Sequence, residues 1–334
     1  MGALAGAGRA GVRALAAALA LGAAAGPAAA DGPAIVYSIG GKFDGSFNES
    51  AFAGVEAWRG ETGGDVMEVE PGDVTQMEQA LRRLARRGRY PVVAVGFLQA
   101  SPLAKVAADF PETRFTIIDA AVDAPNVQSV VFREHEGAYV VGVLAAMASE
   151  SGVVGVVGGM DIPLIRRFAC GYAQGVKATT PGAEVLVNYA GSTPAAWADP
   201  ARGAELARGQ IDRGADVILQ AAGGTGLGVL QAAAEAGVLG VGTDSNQNAL
   251  HPGAVLTSLL KRTDRAVSAA FADWTPGLRS LGWAEGGLDW VIDEHNRALI
   301  SPAMEAEATA AAEAIAQGLL EVRDSAADGT CAAP

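Results

Sequence analysis

The feature that most constrains this chain is a rhythm. Short continuous apolar runs, several ending in Gly or Asp, alternate with segments of helical period, and the rhythm starts twice. Residues 34–40 read as a buried strand, 47–60 as a helix and 65–70 as a second strand. Thr75 then opens an amphipathic helix, with Met77, Leu81 and Leu84 on one face and Arg82, Arg83, Arg86 and Arg87 on the solvated one. Glu78, three residues after Thr75, makes a capping box. A strand at 91–97, a helix at 103–110, a strand at 114–120 and a long helix at 134–149 follow. The pattern restarts at Gly152, with strands at 152–159, 184–190, 215–222 and 238–244 and helices at 163–178, 199–214 and 226–237. Helices between successive strands require parallel pairing with helices on both faces. The expected fold class is therefore α/β, with two doubly wound parallel-sheet lobes joined by a hinge.

A length of 334 residues suits two domains. Residues 1–30 stand apart as a secretory leader. Arg9 and Arg13 precede an Ala/Leu run at 14–20, and small residues lead to Ala28, Ala29 and Ala30 before Asp31. No cysteine sits near that cleavage point to carry a lipid. No later segment reads as a membrane span; the most apolar, 139–148, fits a core helix. The expected organisation is a signal peptide at 1–30, an N-terminal lobe at 31–149 plus about 262–280, and a C-terminal lobe at 150–261 plus about 281–300. A C-terminal helix and tail fill 301–334, with the helix at 302–322 and a mobile tail from Arg323. Export to the periplasm follows. An oxidising compartment permits a bridge between Cys170 and Cys331, but their spacing favours two idle thiols. The net charge of −13 opposes binding to a phosphate backbone, so no nucleic-acid partner is expected.

In parallel α/β sheets ligands lie beyond the carboxyl ends of the strands. Those ends here are Gly40, Phe97, Asp119, Gly159, Ala222 and Asp244, and two facing lobes would make a cleft. Residues Gly223, Gly224, Thr225, Gly226, Leu227 and Gly228 follow a strand and open a helix, but they do not complete a dinucleotide fingerprint. Their bare N–H groups suit an oxygen-rich ligand, or serve only a tight turn. No phosphate-binding loop, nucleophile elbow or zinc-protease motif occurs, and His135, His251 and His295 lack metal-ligand spacing. No catalytic residue, metal or cofactor is expected. The informative segment runs from Gly40 through Gly41, Lys42, Phe43, Asp44, Gly45, Ser46 and Phe47 to Asn48. Ser46 or Asp44 can cap the helix it enters, and Phe47 faces ligand or acts as a hydrophobic staple.

Here the chain resembles the basic membrane protein family of ABC-importer binding proteins, which includes the purine nucleoside receptors. The hallmark is Asp44, Gly45, Ser46, Phe47 and Asn48 after the first strand. Further matching stretches, in order, are 126–132 with 136–142, 156–159 with Phe168, 214–218 with 222–226, 242–247 and 258–262. The resemblance implies a type I periplasmic-binding-protein-like fold that closes on a small molecule. It also implies a nucleoside-like ligand, an ABC permease in the inner membrane as partner, and a monomer. By the same resemblance Phe47 and Phe168 would sandwich the base from opposite lobes, and Asp244 and Lys261 would hold ribose hydroxyls. Asn48 and Asp119 offer groups for the base edge, with a turn carboxylate as the plain alternative for Asp119. Trp197 is a third aromatic wall or a surface staple. Two positions depart from the family pattern: Gly45 replaces a usual Lys, and Phe43 an often acidic residue. Two other functions share this scaffold, a secreted nucleoside hydrolase and a ligand sensor that docks on a membrane receptor.

Overall fold

The computed structural model describes residues 32–324. The expected leader, and Cys331 with the end of the tail, lie outside these residues. The first half runs β1 (Ala34–Val36), α1 (Phe47–Thr62), β2 (Met67–Val69), α2 (Val74–Arg86), β3 (Val92–Val95), α3 (Ala100–Asp109), β4 (Phe115–Ile118) and β5 (Val127–Phe132). After α4 (Glu134–Ala148) come β6 (Val153–Met160), α5 (Pro163–Thr179), β7 (Glu184–Gly191), α6 (Pro200–Ile211), β8 (Val217–Ala221), α7 (Thr225–Ala236), β9 (Leu239–Asp244) and β10 (Val255–Lys261). The chain closes with α8 (Thr263–Ala272), β11 (Gly277–Leu281), β12 (Leu288–Trp290) and α9 (Pro302–Ala316).

Two six-stranded sheets result, ordered β11-β5-β4-β3-β1-β2 and β12-β10-β9-β8-β6-β7. Every pairing is parallel except β10 with β12. The two-residue alternation of each strand explains the double winding. In the first sheet Ala34, Val36, Val92, Ala94 and Phe115 face α2 and α3, whereas Ile35, Tyr37, Val93, Val95 and Ile118 face α1 and α8. Both faces are buried, so the strands read as unbroken apolar runs. The second sheet is covered by α6 and α7 on one side and by α4, α5 and α9 on the other.

The chain passes between the sheets three times: from β5 to α4, from β10 to α8, and from β11 to β12. The first passage lies earlier than the boundary expected at 149. Helix α4 packs in the second core, where Ala138, Val141 and Ala145 meet Phe168, Tyr172 and Val176 of α5. Glycine permits this approach: a β-carbon on Gly142, Gly171 or Gly175 would run into the partner helix's backbone. Helix α9 joins the same core through Met304, Ala308 and Ile315, so it is not a separate appendage.

Four other local expectations change. Helix α2 starts one residue before Thr75, and its cap is Asp73, which accepts from Gln76 N at 2.9 Å. Strand β5 has no sequence-level counterpart, because Gln128 and Ser129 interrupt its apolar run and residues 119–126 reach it without a helix. Cys170 is disulfide-bonded, so the expectation of idle thiols fails; Cys170 sits on the buried side of α5. Arg323 and Asp324 are not a loose tail. Arg323 N donates to Gln174 Oε1 at 2.9 Å, and Asp324 pairs with Arg167 at 3.1 Å. Among the described residues no helix is long and apolar enough to cross a membrane.

Candidate functional site

The cleft lies between the carboxyl ends of the two sheets and holds about 610 Å³ of space free of protein atoms. Nine of the eleven sequence-predicted residues line it: Asp44, Phe47, Asn48, Asp119, Phe168, Trp197, Gly223, Asp244 and Lys261. Ser46 and Gly224 are not among the lining residues, although each is next in sequence to one, Phe47 and Gly223.

The loop from β1 to α1 supplies the first wall. The carboxylate of Asp44 accepts from the N–H groups of Ser46 (2.9 Å), Asn48 (3.0 Å) and Glu49 (3.1 Å). It satisfies donors that the first helical turn would otherwise leave orphaned. Burial pushes its carboxyl up, against the pull of these three amides. Of the two candidate caps, Asp44 therefore does the capping, which frees Ser46 to turn outward. Ser46 Oγ donates to Asp244 Oδ2 of the opposite sheet at 2.6 Å and lies 3.2 Å from Thr243 O. Ser245 Oγ returns a bond to Ser46 O, and Gln247 Nε2 one to Gly45 O, each at 2.7 Å. These bonds hold the loop against the second lobe. Gly45 has φ near +69°, and a β-carbon there would stand 3.0 Å from Leu227 of α7. A side chain at this position would be strained by the left-handed backbone and would have to displace the end of the Leu227 side chain, conditions that favour glycine.

Asn48 is already committed. Its Oδ1 accepts from Ser38 N at 2.9 Å and its Nδ2 lies 3.4 Å from Ser38 O. It can still offer one N–H, and one lone pair of its oxygen is used by the backbone.

The floor is ionic. Lys261, the last residue of β10, is 1% exposed. Its Nζ lies 2.7 Å from Asp119 Oδ2 and 3.0 Å from Glu134 Oε1. The rings of Phe132, Phe47 and Phe168 surround it at 5.0, 5.2 and 5.9 Å from their centroids. Burial disfavours its charge, but Asp119, Glu134 and Asp244 outweigh that and push the ammonium above the ordinary lysine range. Asp119 Oδ1 is buried with no hydrogen-bond partner among the described residues. Asp244 is pushed up to about 6 by burial, with Lys261 and the Ser46 hydroxyl pulling the other way.

The aromatic pair does not have the symmetry expected of it. Phe47 opens α1 at the end of the first-lobe loop and is half-buried. Phe168 is 2% exposed, on the second turn of α5 rather than at a strand end, and belongs to the second core. Trp197 is a wall, not a surface staple. Its ring meets Phe97 edge-on, with centroids 6.2 Å apart, and Gly159 leaves the space for it. Phe97 comes from the first lobe and Trp197 from the second, so this contact bridges the cleft. Sequence reasoning noted Phe97 as a strand end without making it a site residue; an aromatic at such an end was the available signal. Ser38, Ile39, Gly96, Leu164, Ile165, Ala221 and Thr243 also line the cleft and carried no chemical signal. Gly223, with φ near +56°, lets the turn before α7 pass close to the Trp197 carbonyl.

No group of acidic, histidine or cysteine side chains among the described residues could hold a metal ion. What the arrangement can do is bind: flat rings, carboxylate acceptors and one ammonium, shared between two lobes. The profile of the PnrA-like ABC transporter substrate-binding proteins matches residues 34–277, a span that contains every residue lining the cleft. The chain belongs to this family. An uncharacterised lipoprotein of Pyrococcus furiosus is 32% identical over 282 residues, 78% of this chain and 70% of the relative. The ABC transporter nucleoside-binding protein BmpA of Lactococcus lactis is 32% identical over 205 residues, 60% of this chain and 57% of that protein. An ABC transporter solute-binding protein of Aeropyrum pernix K1 superposes with a TM-score of 0.79 at 29% identity, over 87% of this chain and 92% of that one. As a PnrA-like substrate-binding protein, the chain is an extracytoplasmic receptor for a small molecule, and its family partner is a membrane permease. Its two parallel-sheet lobes are those of type I periplasmic binding proteins.

Proposed function

We propose that this protein binds a purine nucleoside, or a closely related small molecule, and as a periplasmic monomer hands it to the permease of an ABC importer. In this reading Phe47 and Phe168 flank the base, with Trp197 as a further wall. Asp119 accepts from a base N–H, and Asn48 keeps one N–H for the base edge. Asp244 and Lys261 engage the ribose hydroxyls, and the Gly223–Gly224 turn approaches the ligand's oxygen atoms. Removal of residues 1–30 accompanies export.

The observation that carries the reading is the cleft floor. It sets a buried acceptor without a partner, Asp119 Oδ1, beside aromatic rings from both lobes. A buried acceptor left unpaired costs about 1–3 kcal/mol, and more for a charged one, so a ligand that donates to it is favoured. The nucleoside-binding relative from Lactococcus lactis supports the same choice. Calorimetry with a purine nucleoside and with its free base tests it, followed by chromatography of the recovered ligand. Tighter binding of the nucleoside, recovered intact, is the expected result. Equal affinity for the two removes the ribose contacts, and recovery of free base and ribose makes the protein a hydrolase instead.

A further inference from the structure

We propose that Glu134 is a positioning residue for ligand recognition: it fixes the Lys261 ammonium at the hinge and keeps it off Asp244, although Glu134 itself does not line the cleft. The proposal rests on the reading in which Asp244 and Lys261 meet the ligand's sugar.

Glu134 is the first residue of α4, where the chain leaves the first sheet, and it is fully buried. Lys261 is the last residue of β10, directly before the chain returns to the first lobe. Their ion pair at 3.0 Å therefore ties together two of the three passages between the lobes. The directed hydrogen bond of the ammonium goes to Asp119, at 2.7 Å. Glu134 adds charge on another side, and neither of its oxygens has a hydrogen bond of normal geometry. Its second oxygen faces Arg167 Nη1 at 3.7 Å, and Arg167 is in turn held by Asp324. Arg167 precedes Phe168, so the same carboxylate reaches toward both a cleft cation and the helix that carries a cleft ring.

The placement has an electrostatic consequence. Asp244 lies beside Leu260 in the parallel register of β9 and β10, one residue from Lys261, and the charge of Lys261 is felt at Asp244. In the structure the ammonium hydrogen-bonds the first lobe's Asp119 instead. The opposing charge of Glu134 makes that orientation favourable. Without it, Asp244 becomes the competing anion, and an ammonium drawn to Asp244 occupies the acceptor that a ribose hydroxyl needs. A buried carboxylate that served packing alone would be a costly choice at this position.

The test is Glu134→Gln, which keeps the shape and removes the charge, measured with inosine and with hypoxanthine. The inosine affinity is expected to fall about tenfold, the scale of one hydrogen bond to a charged group. The hypoxanthine affinity should change by less than about twofold. An equal loss for both ligands marks a structural role and overturns the proposal, as does no loss for either. A second readout needs no ligand. The chain has four lysines, Lys42, Lys105, Lys177 and Lys261. In spectra of protein labelled with ¹⁵N at the lysine side chains, the Lys261 ammonium signal should move in Glu134→Gln while the other three stay in place. An unmoved Lys261 signal overturns the proposal even if the wild-type protein proves not to bind inosine, a result that would sink the nucleoside reading separately. Should Glu134→Gln fail to fold, Glu134→Asp keeps the charge but withdraws it by one methylene. It should shift the same signal and lower inosine affinity in the same direction, and wild-type behaviour in both would sink the idea.

Discussion

Each lobe presents the cleft with the same device, an aspartate in left-handed backbone at the end of a strand. Asp119 follows β4 with φ near +70°, and Asp244 ends β9 with φ near +73°. They are the two non-glycine residues with such a φ among the described residues. Aspartate tolerates this conformation better than most side chains, and strained positions of this kind collect at functional sites. Each is also held by the opposite lobe: Asp119 by Lys261 of the second sheet, Asp244 by Ser46 of the first. The partners differ, and that difference sets their chemistry. An ammonium holds Asp119 as part of a buried ion cluster. A hydroxyl leaves Asp244 with too little compensation, and its carboxyl is pushed up to about 6. One geometry thus ties the first lobe's aspartate into an ion cluster and leaves the second lobe's with a single hydroxyl donor.

The largest break in this comparison is removal of the shared cation. Lys261→Met leaves Asp119 and Glu134 buried without their main partner. Removing one member of a buried ion pair costs about 3–5 kcal/mol. Urea unfolding at pH 7 should show a loss of that size together with loss of ligand binding. A variant as stable as wild type would mean that the cluster contributes nothing net to the fold.

Next come the aspartates themselves, with opposite signs. Asp119→Asn removes the carboxylate charge that pairs with the Lys261 ammonium, leaving an ammonium–amide bond, and should destabilise by about 1.5–3 kcal/mol at pH 7. For Asp244 the sign follows from linkage. Its carboxyl titrates higher in the folded protein than its ordinary value of 3.8, so the folded state binds the proton more tightly. The stability it confers is complete below pH 4, is lost as the pH rises to about 6, and stays lost above that. Asp244→Asn should match wild type below pH 4 and exceed it at pH 8, by on the order of 1–3 kcal/mol. Urea curves from pH 4 to 8 check both variants. Equal slopes with pH for Asp244→Asn and wild type would remove the contrast between the lobes.

The aromatic pair gives a smaller effect, read on affinity. Phe47 is half-buried at a helix start, so Phe47→Ala can be compared directly with wild type. Phe168 is part of the second core, so its ring is better replaced with Phe168→Leu, which keeps an apolar side chain in the core at a modest loss of volume. Each should weaken nucleoside binding by about 1–3 kcal/mol, the scale of base–aromatic stacking. Wild-type affinity in both would make the rings packing residues only.

The same contrast between lobes governs what the sequence made legible. Both sheets were readable because strands buried on both faces leave unbroken apolar runs, as in Val92, Val93, Ala94 and Val95. Strand β5 was not, because Gln128 turns inward to Thr116 and the carbonyl of Thr275, contacts that no local pattern encodes. Strands β11 and β12 pair with segments distant in sequence, β5 and β10, which periodicity cannot report. Within the site, the Asp44–Asn48 segment and Lys261 stood out by the family stretches that contain them. Glu134 did not, because a glutamate opening a helix is ordinary and only the fold brings it to Lys261. Phe97 and Trp197 met only when the lobes did.

That last contact supports the finest test. Phe97 of the first lobe and Trp197 of the second touch edge-on across the cleft. Such contacts contribute about 0.5–1.5 kcal/mol beyond their buried area. On the proposal that the lobes part to release ligand, opening separates the two rings, so loss of the contact should destabilise the closed complex and leave the open receptor largely unchanged. Phe97→Leu should therefore raise the ligand's dissociation rate by up to about tenfold, with little change in the association rate. Trp197→Leu removes the other half of the pair, and the double variant should lose little more than either single one. Stopped-flow measurements of both rates separate the alternatives. Additive losses would mean that each ring acts on the ligand independently, and a slowed association rate would place Phe97 at the entrance rather than in the closure.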